Sequence, residues 1–517
     1  MIIATMYLRA GVFSLGLLMA SRLLGLLRES VQAAAFGASG MGDAVIVMFT
    51  LPDLLVGILF SGALAYVLLP AWAQQNAAQQ ARSQRRVARV LLALGVAMGI
   101  LIWLLRDVLV HALAPGLEGG MRALGAQSLV WSAAALPLAL LAALWVTRLQ
   151  HERDFVGMYA GSLVVNVLLV GALFFAPQDR SGQLTVLVLG GFLAAAMLAR
   201  LGWLAWRLRR VGASRAAVAR ADAPPALVDS PAASPEALPA ALPWASVWLW
   251  AALSSGLLLL LPLMARSLAS QGGEGALASF NYAWKLVELP LVLAIQLVAS
   301  LAFPAITRAE AGSPERENAV QTAFLLAWAL ACAAIAVVAS FSLPLAGMLF
   351  GWGRMTADHL DTIGRWSAIG IWSLLPQALV AVLMTVMATG QRMHVAVWAY
   401  AAGAAALALA GWLGLADGAS VMWMLNATLA GVAAVMLASE GRRLGRALPW
   451  LAMLAPLIAA ALQVALAQRI AVVSLAGALV GCVVFTGVVL AAAALASPLM
   501  RGLLWEKLAR RRMAGGQ

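Results

Sequence analysis

Ser21-Arg22-Leu23-Leu24-Gly25-Leu26-Leu27-Arg28-Glu29 stands in the middle of an apolar run from Ala10 to Phe36. An ionised group at the centre of such a run costs about 2.5 to 3.5 kcal/mol when the run crosses a bilayer. Read as a helix at about 100° per residue, the stretch aligns Ser21 with Arg28 and Arg22 with Glu29, and sets the two arginines roughly 120° apart on one broad polar face. Gly25 lies within a turn of both arginines and leaves room for a close backbone approach or a local bend. Glu29 can neutralise at most one of the two cations. At least one guanidinium is therefore left to seek another anion, either a carboxylate on another helix that serves packing or an anion in transit. Buried ion pairs are poor stabilisers against apolar alternatives, which weighs against packing alone.

Other charges inside apolar runs are read the same way. Lys285 and Glu288, spaced i, i+3 on one helical face, can pair with each other, as a plain bridge or as a gate that exchanges partners. Asp53 follows Pro52 and either uses the carbonyl that the proline frees or sits in a cavity. Asp43 is expected to be the N-cap of the second apolar helix at the outer surface. Asn166, Gln296, Gln377 and Asn426 are mid-span polar residues, whose usual role is hydrogen bonding between helices.

No enzymatic constellation is present. His111, His151, His359 and His394 fall in loops or at span ends without the pairing that a metal site or a nucleophile and base require. Glycine loops that hold nucleotide phosphates are also absent. The chain is expected not to be an enzyme, to hold no metal and not to be an ATP-driven pump. Cys332 and Cys482, each inside an apolar run, are expected to be packing residues.

The elements that must carry these residues are membrane helices. Of 517 residues 63% are hydrophobic and only 11% charged, and the mean hydropathy is +0.93, which excludes a water-soluble globule and a single-anchor protein. Fourteen apolar segments are long enough to cross a bilayer at about 20 residues each. With the N-terminus inside, 23 of the 34 Lys and Arg fall in inner connections and 6 in outer ones, as the bias of cytoplasmic loops demands. Both termini are thus expected in the cytoplasm.

The stretch from Arg207 to Pro243 is the one long polar interruption, rich in arginine and then proline, and reads as a linker. The expected organisation is an N-terminal lobe over 1–206 with helices 1 to 6, a cytoplasmic linker over 207–243, a C-terminal lobe over 244–439 with helices 7 to 12, two further helices over 440–496, and a basic cytoplasmic tail over 497–517. Spans 2 and 8 each hold a Leu-Pro pair, Leu51-Pro52 and Leu289-Pro290, and a second proline, Pro70 or Pro304. Either a parallel repeat, a design found in transporters, or the plain frequency of proline in membrane helices accounts for that echo.

The opening block resembles the MurJ (MviN) family of lipid II flippases. It supplies Ser21-Arg22, Gly25, Arg28-Glu29, Phe36-Gly37, Asp43-Ala44, Leu51-Pro52, Gly62-Ala63 and Pro70, followed by Ala114-Pro115-Gly116, Asn166, the stretch from Tyr282-Ala283 to Glu288-Leu289-Pro290, and Phe350-Gly351. Val56, Gly57 and Ser61 stand where similar proteins carry charges, and Trp284-Lys285 stands for an Asp-Arg pair, so the cavity is less polar here.

The resemblance implies an all-α polytopic fold of the multidrug/oligosaccharidyl-lipid/polysaccharide (MOP) exporter superfamily, with two six-helix lobes around a central cavity plus two C-terminal helices. It implies a cargo of lipid II, or another polyprenyl-diphosphate glycan, carried by alternating access across the bacterial cytoplasmic membrane. Arg22, Arg28 and Lys285, with Ser21 and Gly25, are the expected substrate-binding residues, arginine being suited to bidentate phosphate contact. Glu29, Asp43, Asp53 and Glu288 are the expected gating or structural charges. No cofactor is expected. Membrane potential, worth about 2.3 kcal/mol per charge per 100 mV, and a coupling cation such as Na+ are the implied drivers. Expected partners are the lipid-linked cargo and membrane lipids, not nucleic acid, with a monomer as the working unit. The rival from another class is a cation-coupled exporter of small molecules on the same fold, which predicts that acids outnumber bases in the cavity.

Overall fold

The computed structural model describes residues 2–58, 64–177, 181–221, 245–296, 298–299, 302–303, 306, 310, 313–390, 392–469, 474–499 and 501. Ser61, Gly62-Ala63, Pro304, the linker from Asp222 to Pro243 and the tail beyond Arg501 lie outside the described residues. All regular structure among the described residues is helical, as backbone in a bilayer must be to satisfy its own polar groups. The helices fall into two compact units, one formed by 1–35 and 40–259, the other by 36–39 and 260–517.

The first unit contains α1 (Ile2–Phe36), α2 (Gly40–Ile58), α3 (Leu64–Ala73), α4 (Ala77–Leu104), α5 (Arg106–Leu113), α6 (Gly119–His151), α7 (Phe155–Phe175) and α8 (Gln183–Ala221). At its centre is α6, against which α2, α4 and α8 pack. Its buried face is mostly Ala, Leu, Ser and Thr, small enough to let backbones approach, and the Ser132 hydroxyl donates to the Met48 carbonyl of α2.

The loop between α6 and α7 is held by Asp154. Its carboxylate accepts the Gly157 N–H at 3.0 Å as the N-cap of α7 and binds the Arg207 guanidinium of α8 through both oxygens, at 2.9 and 2.6 Å. Asp154→Ala removes the cap and both charge-assisted bonds, an expected loss of about 2 to 3 kcal/mol. Asp154→Asn keeps the cap and loses only the ionic part. Thermal unfolding in detergent should rank the variants in that order below the parent.

The chain passes from the first unit to the second within α9 (Ala245–Ala269). The second unit continues with α10 (Ala276–Pro290), a π turn over Leu291–Ile295, α11 (Pro314–Phe350), α12 (Ala357–Gly370), α13 (Leu374–Thr389), α14 (Met393–Trp412), α15 (Gly418–Ala447), α16 (Trp450–Ala467) and α17 (Leu475–Ala496). Its hub is α11, which packs on α12, α13, α16 and α17. Cys332 of α11 is fully buried with Ala336, Ala460 and Val489, and the Trp328 indole donates to the Met453 carbonyl of α16 at 3.0 Å. Leu451 and Val483 are exposed, as suits helices that meet lipid.

Twelve of the described helices are long and apolar enough to cross a membrane, so the chain is a multi-pass membrane protein. Two of the fourteen expected segments fall outside that count. The described side chains of α1 include Arg22, Arg28 and Glu29 close together, and α10 has only 15 residues, with Lys285 and Glu288 among them, before it ends at Pro290. Proline lacks an N–H and crowds the preceding turn, and the backbone there widens into the π turn. The helix of Arg207 does not stop where the polar stretch begins, because α8 runs on to Ala221.

Candidate anion site

Within the first unit, α1 places Arg28 between two carboxylates. One Nη of Arg28 donates to Glu29 at 2.9 Å and to Asp53 of α2 at 3.4 Å, and the guanidinium lies 5.2 Å from the centre of the Phe49 ring. Its side chain is 11% exposed and that of Asp53 59%. Glu29 therefore serves Arg28, its neighbour in sequence, and Arg22 makes no hydrogen bond or ion pair among the described residues.

Arg22 is exposed and interacts electrostatically with Tyr159 of α7. A turn further along α1, a Cβ on Gly25 would meet only the Asn166 amide of α7, at 3.9 Å. The helix runs unbroken through Gly25, so the glycine leaves space and does not bend the chain. Ser21 is half-buried on the same helix.

Arg200, which the sequence pattern does not single out, is a third arginine of the first unit that acts on Asp53. It lies on α8, is 8% exposed, has a buried Nε with no hydrogen-bond partner, and interacts electrostatically with Asp53. Its stem lies over Gly161 of α7, with Cγ 3.7 Å from where a Cβ would stand. The Arg28–Asp53 bond thus joins α1 to α2, Arg200 of α8 acts on Asp53 electrostatically, and its stem lies beside α7, so this part of the first unit holds three arginines and two carboxylates. Such a cluster can hold a multivalent anion by charge-assisted, bidentate bonds.

The remaining candidates are placed elsewhere. Lys285 pairs with Glu288 at 2.9 Å on α10 of the second unit, as their i, i+3 spacing allows. In the same unit Arg266 of α9 donates to the Asn281 side chain at 2.7 Å. Asp43 is not an exposed N-cap: α2 begins at Gly40, so Asp43 lies in the first helical turn, 1% exposed, where its charge still complements the helix N-terminus. Asp53 does not serve the backbone near Pro52 alone, since Arg28 takes its carboxylate. Gly57 is closed off by Leu259, 2.9 Å from a would-be Cβ, and Trp284 is buried; both positions are spent on packing. Asn426 donates to the Ile369 carbonyl at 2.8 Å across helices, and Gln377 to Ser373 at 2.9 Å.

Comparison with known proteins agrees with this reading of the fold. The sequence matches the family described as Lipid II flippase MurJ over residues 32–500. A lipid II flippase MurJ from Burkholderia cenocepacia is 24% identical over 367 residues, which cover 68% of this chain and 67% of the relative. A solved structure of a lipid II flippase MurJ in an inward closed conformation superposes with a TM-score of 0.76 at 13% identity, over 95% of this chain and 100% of that one. An inward-facing MATE family multidrug resistance transporter of the MOP superfamily gives a TM-score of 0.60 at 12% identity, over 87% and 96% of the two chains. With nearly its whole length matched, the chain belongs to the lipid II flippase MurJ family.

Proposed function

We propose that this protein moves lipid II, the undecaprenyl-diphosphate-linked peptidoglycan precursor, from the inner to the outer leaflet of the bacterial cytoplasmic membrane by alternating access. The protein is read as a transporter and not an enzyme. Family membership selects the cargo class, and one structural observation carries the mechanism: Arg22 of α1 is an exposed guanidinium with no ion pair among the described residues. A headgroup bearing a diphosphate cannot cross hydrocarbon unaided, because unpaired polar groups there are too costly. Arginines that replace its water would lower that cost while the polyprenyl tail stays in lipid.

In this reading the chain has fourteen spans with α1 and α10 among them, both termini are cytoplasmic, and one copy suffices. Ser21, Gly25 and Lys285 assist Arg22 and Arg28 at the headgroup, with Glu29, Asp43, Asp53 and Glu288 as structural or gating charges. Outward movement of a net anion is favoured by about 2.3 kcal/mol per charge per 100 mV with the inside negative, and a cation such as Na+ is the second source of drive.

The test is rescue of cells depleted of their own lipid II flippase, scored by growth and by the amount of lipid II that an external enzyme can reach. Rescue with outward lipid II restored supports the proposal. Failure to rescue, with outward movement of a different polyprenyl-diphosphate glycan, transfers the activity to that cargo. Dye efflux from vesicles without any lipid II movement assigns the chain to the small-molecule exporters. Collapse of the potential with valinomycin and matched K+ is expected to slow outward movement of lipid II in the rescued cells.

A further inference from the structure

The buried Arg200 has no part in the function proposed above, yet its chemistry asks for one. It is nine-tenths buried, its Nε has no partner, and the one carboxylate it interacts with electrostatically, Asp53, already accepts from Arg28. Asp53 is itself well exposed and its bond to Arg28, at 3.4 Å, is long for a charge-assisted hydrogen bond, where about 2.7 to 2.9 Å is usual. Asp53 is thus held loosely by Arg28 and acts electrostatically on Arg200, which has no ion pair of its own among the described residues.

Counted along its own helix, Asp53 falls at a depth between those of Arg28 and Arg200. The Phe36 end of α1, the Gly40 end of α2 and the Gln183 end of α8 fall on the same side of the first unit, since the chain reverses at each crossing. Counted from those ends at about 1.5 Å per residue, Arg28 lies about 12 Å in, Asp53 about 20 Å and Arg200 about 26 Å. A carboxylate bonded to one guanidinium and acting electrostatically on a second occupies the position that a stronger anion would take.

We propose that Arg28, Asp53 and Arg200 form a displaceable triad, in which Asp53 is a resident anion that yields its place to the diphosphate of the cargo, and Arg200 is a further headgroup-binding cation. This inference rests on the proposed lipid II activity and names two more residues of the same site. When the diphosphate arrives, two phosphoryl groups replace one carboxylate, Arg200 gains the partner its Nε lacks, and Asp53 turns to water. When the headgroup leaves, Asp53 returns and keeps the arginines from holding the product. The exposure of Asp53 favours the exchange, because its carboxylate is not enclosed by the protein and is free to turn aside.

The test is binding of undecaprenyl diphosphate to the purified full-length protein by native mass spectrometry, with undecaprenol as the uncharged control and inorganic pyrophosphate as competitor. Arg200→Met is expected to weaken undecaprenyl diphosphate by about tenfold, with undecaprenol unchanged and the melting temperature held or raised, since it removes a poorly compensated buried charge. Asp53→Asn is expected to tighten the diphosphate by about tenfold, because the competitor is gone, and to slow its release. Pyrophosphate should compete with the lipid in the parent protein and lose potency in Arg200→Met, which separates headgroup recognition from tail binding.

Parent-like diphosphate binding by Arg200→Met overturns the proposal. So does a fall in its melting temperature, which would make Arg200 a strut, and so does unchanged or weakened binding by Asp53→Asn. A parent protein that does not prefer undecaprenyl diphosphate to undecaprenol overturns the flippase reading itself, whatever the variants do.

Discussion

Arg28→Ala is expected to cost about 3 to 5 kcal/mol of stability, the range for removing one partner of a buried ion pair, whereas Arg22→Ala is expected to cost almost none and to abolish transport. The two residues sit on the same helix, and their environments differ. Arg28 is 11% exposed and holds Glu29, itself 9% exposed, at 2.9 Å. Removing it takes from Glu29 a charge-assisted partner in a site with little exposure, and most of the loss is the weaker compensation of that buried charge. Arg22 is exposed and has no ionic partner among the described residues, so its removal leaves nothing unpaired.

Protein level and melting temperature in detergent should therefore fall for Arg28→Ala and match the parent for Arg22→Ala, while neither variant rescues flippase-depleted cells. The double substitution Arg28→Met, Glu29→Met separates fold from function. An apolar pair of similar volume should restore stability, and transport should remain lost because the cation is gone. A rescued phenotype for Arg22→Ala at normal protein level would remove the arginine from the headgroup path. A parent-like melting temperature for Arg28→Ala would mean that Glu29 is compensated without Arg28.

These charges are legible in the sequence because the cost of ionised groups in hydrocarbon makes every one of them conspicuous in an apolar run. Arg22, Gly25, Arg28 and Glu29 need only the helical repeat to be placed on one face. What the helical repeat does not supply is partner choice. Register aligns Arg22 with Glu29, yet Glu29 goes to the adjacent Arg28, because that guanidinium folds back between α1 and α2 where Asp53 also waits. Long flexible side chains reach across a helix face in ways that Cα angles do not constrain.

Arg200 is hidden in the sequence for a different reason. It lies near the end of an apolar segment, shortly before Trp206, Arg207, Arg209 and Arg210, and no spaced polar partner marks it out. Only burial separates it from that cluster: Arg200 is enclosed, while Arg207 and Arg210 lie at Trp206 with their guanidinium groups over its ring. Asp43 differs from its expected place by a smaller margin. Whether an acid caps a helix or sits in its first turn depends on where the helix starts, and the start at Gly40 follows the close packing of residues 36–39 within the second unit, a tertiary fact.

That packing of residues 36–39 sets the other large expected effect. Gly275, which precedes α10, has φ +81°, and a Cβ there would stand 2.5 Å from the Ala38 carbonyl carbon, 3.0 Å from the Ser39 nitrogen, and closer still to the Ala38 oxygen. Backbone cannot yield as a flexible side chain can, so Gly275→Ala combines left-handed strain of about 1 to 2 kcal/mol with a clash that must move either α10 or the turn after α1. Loss of folded protein is the expected outcome.

Two other glycines isolate the terms. Gly273, at φ +110° with nothing within 4 Å of its would-be Cβ, bears strain without a clash, so its alanine variant should fold with a lowered melting temperature. Gly171, inside α7 and equally open, bears neither, and alanine there should stabilise the helix by about 0.5 to 1 kcal/mol. Expression and thermal unfolding of the three variants should rank Gly171→Ala above the parent, Gly273→Ala below it, and Gly275→Ala last. A well-folded Gly275→Ala protein would show that the turn at Ala38 does not hold the N-terminus of α10, and would release the two elements to move independently during transport.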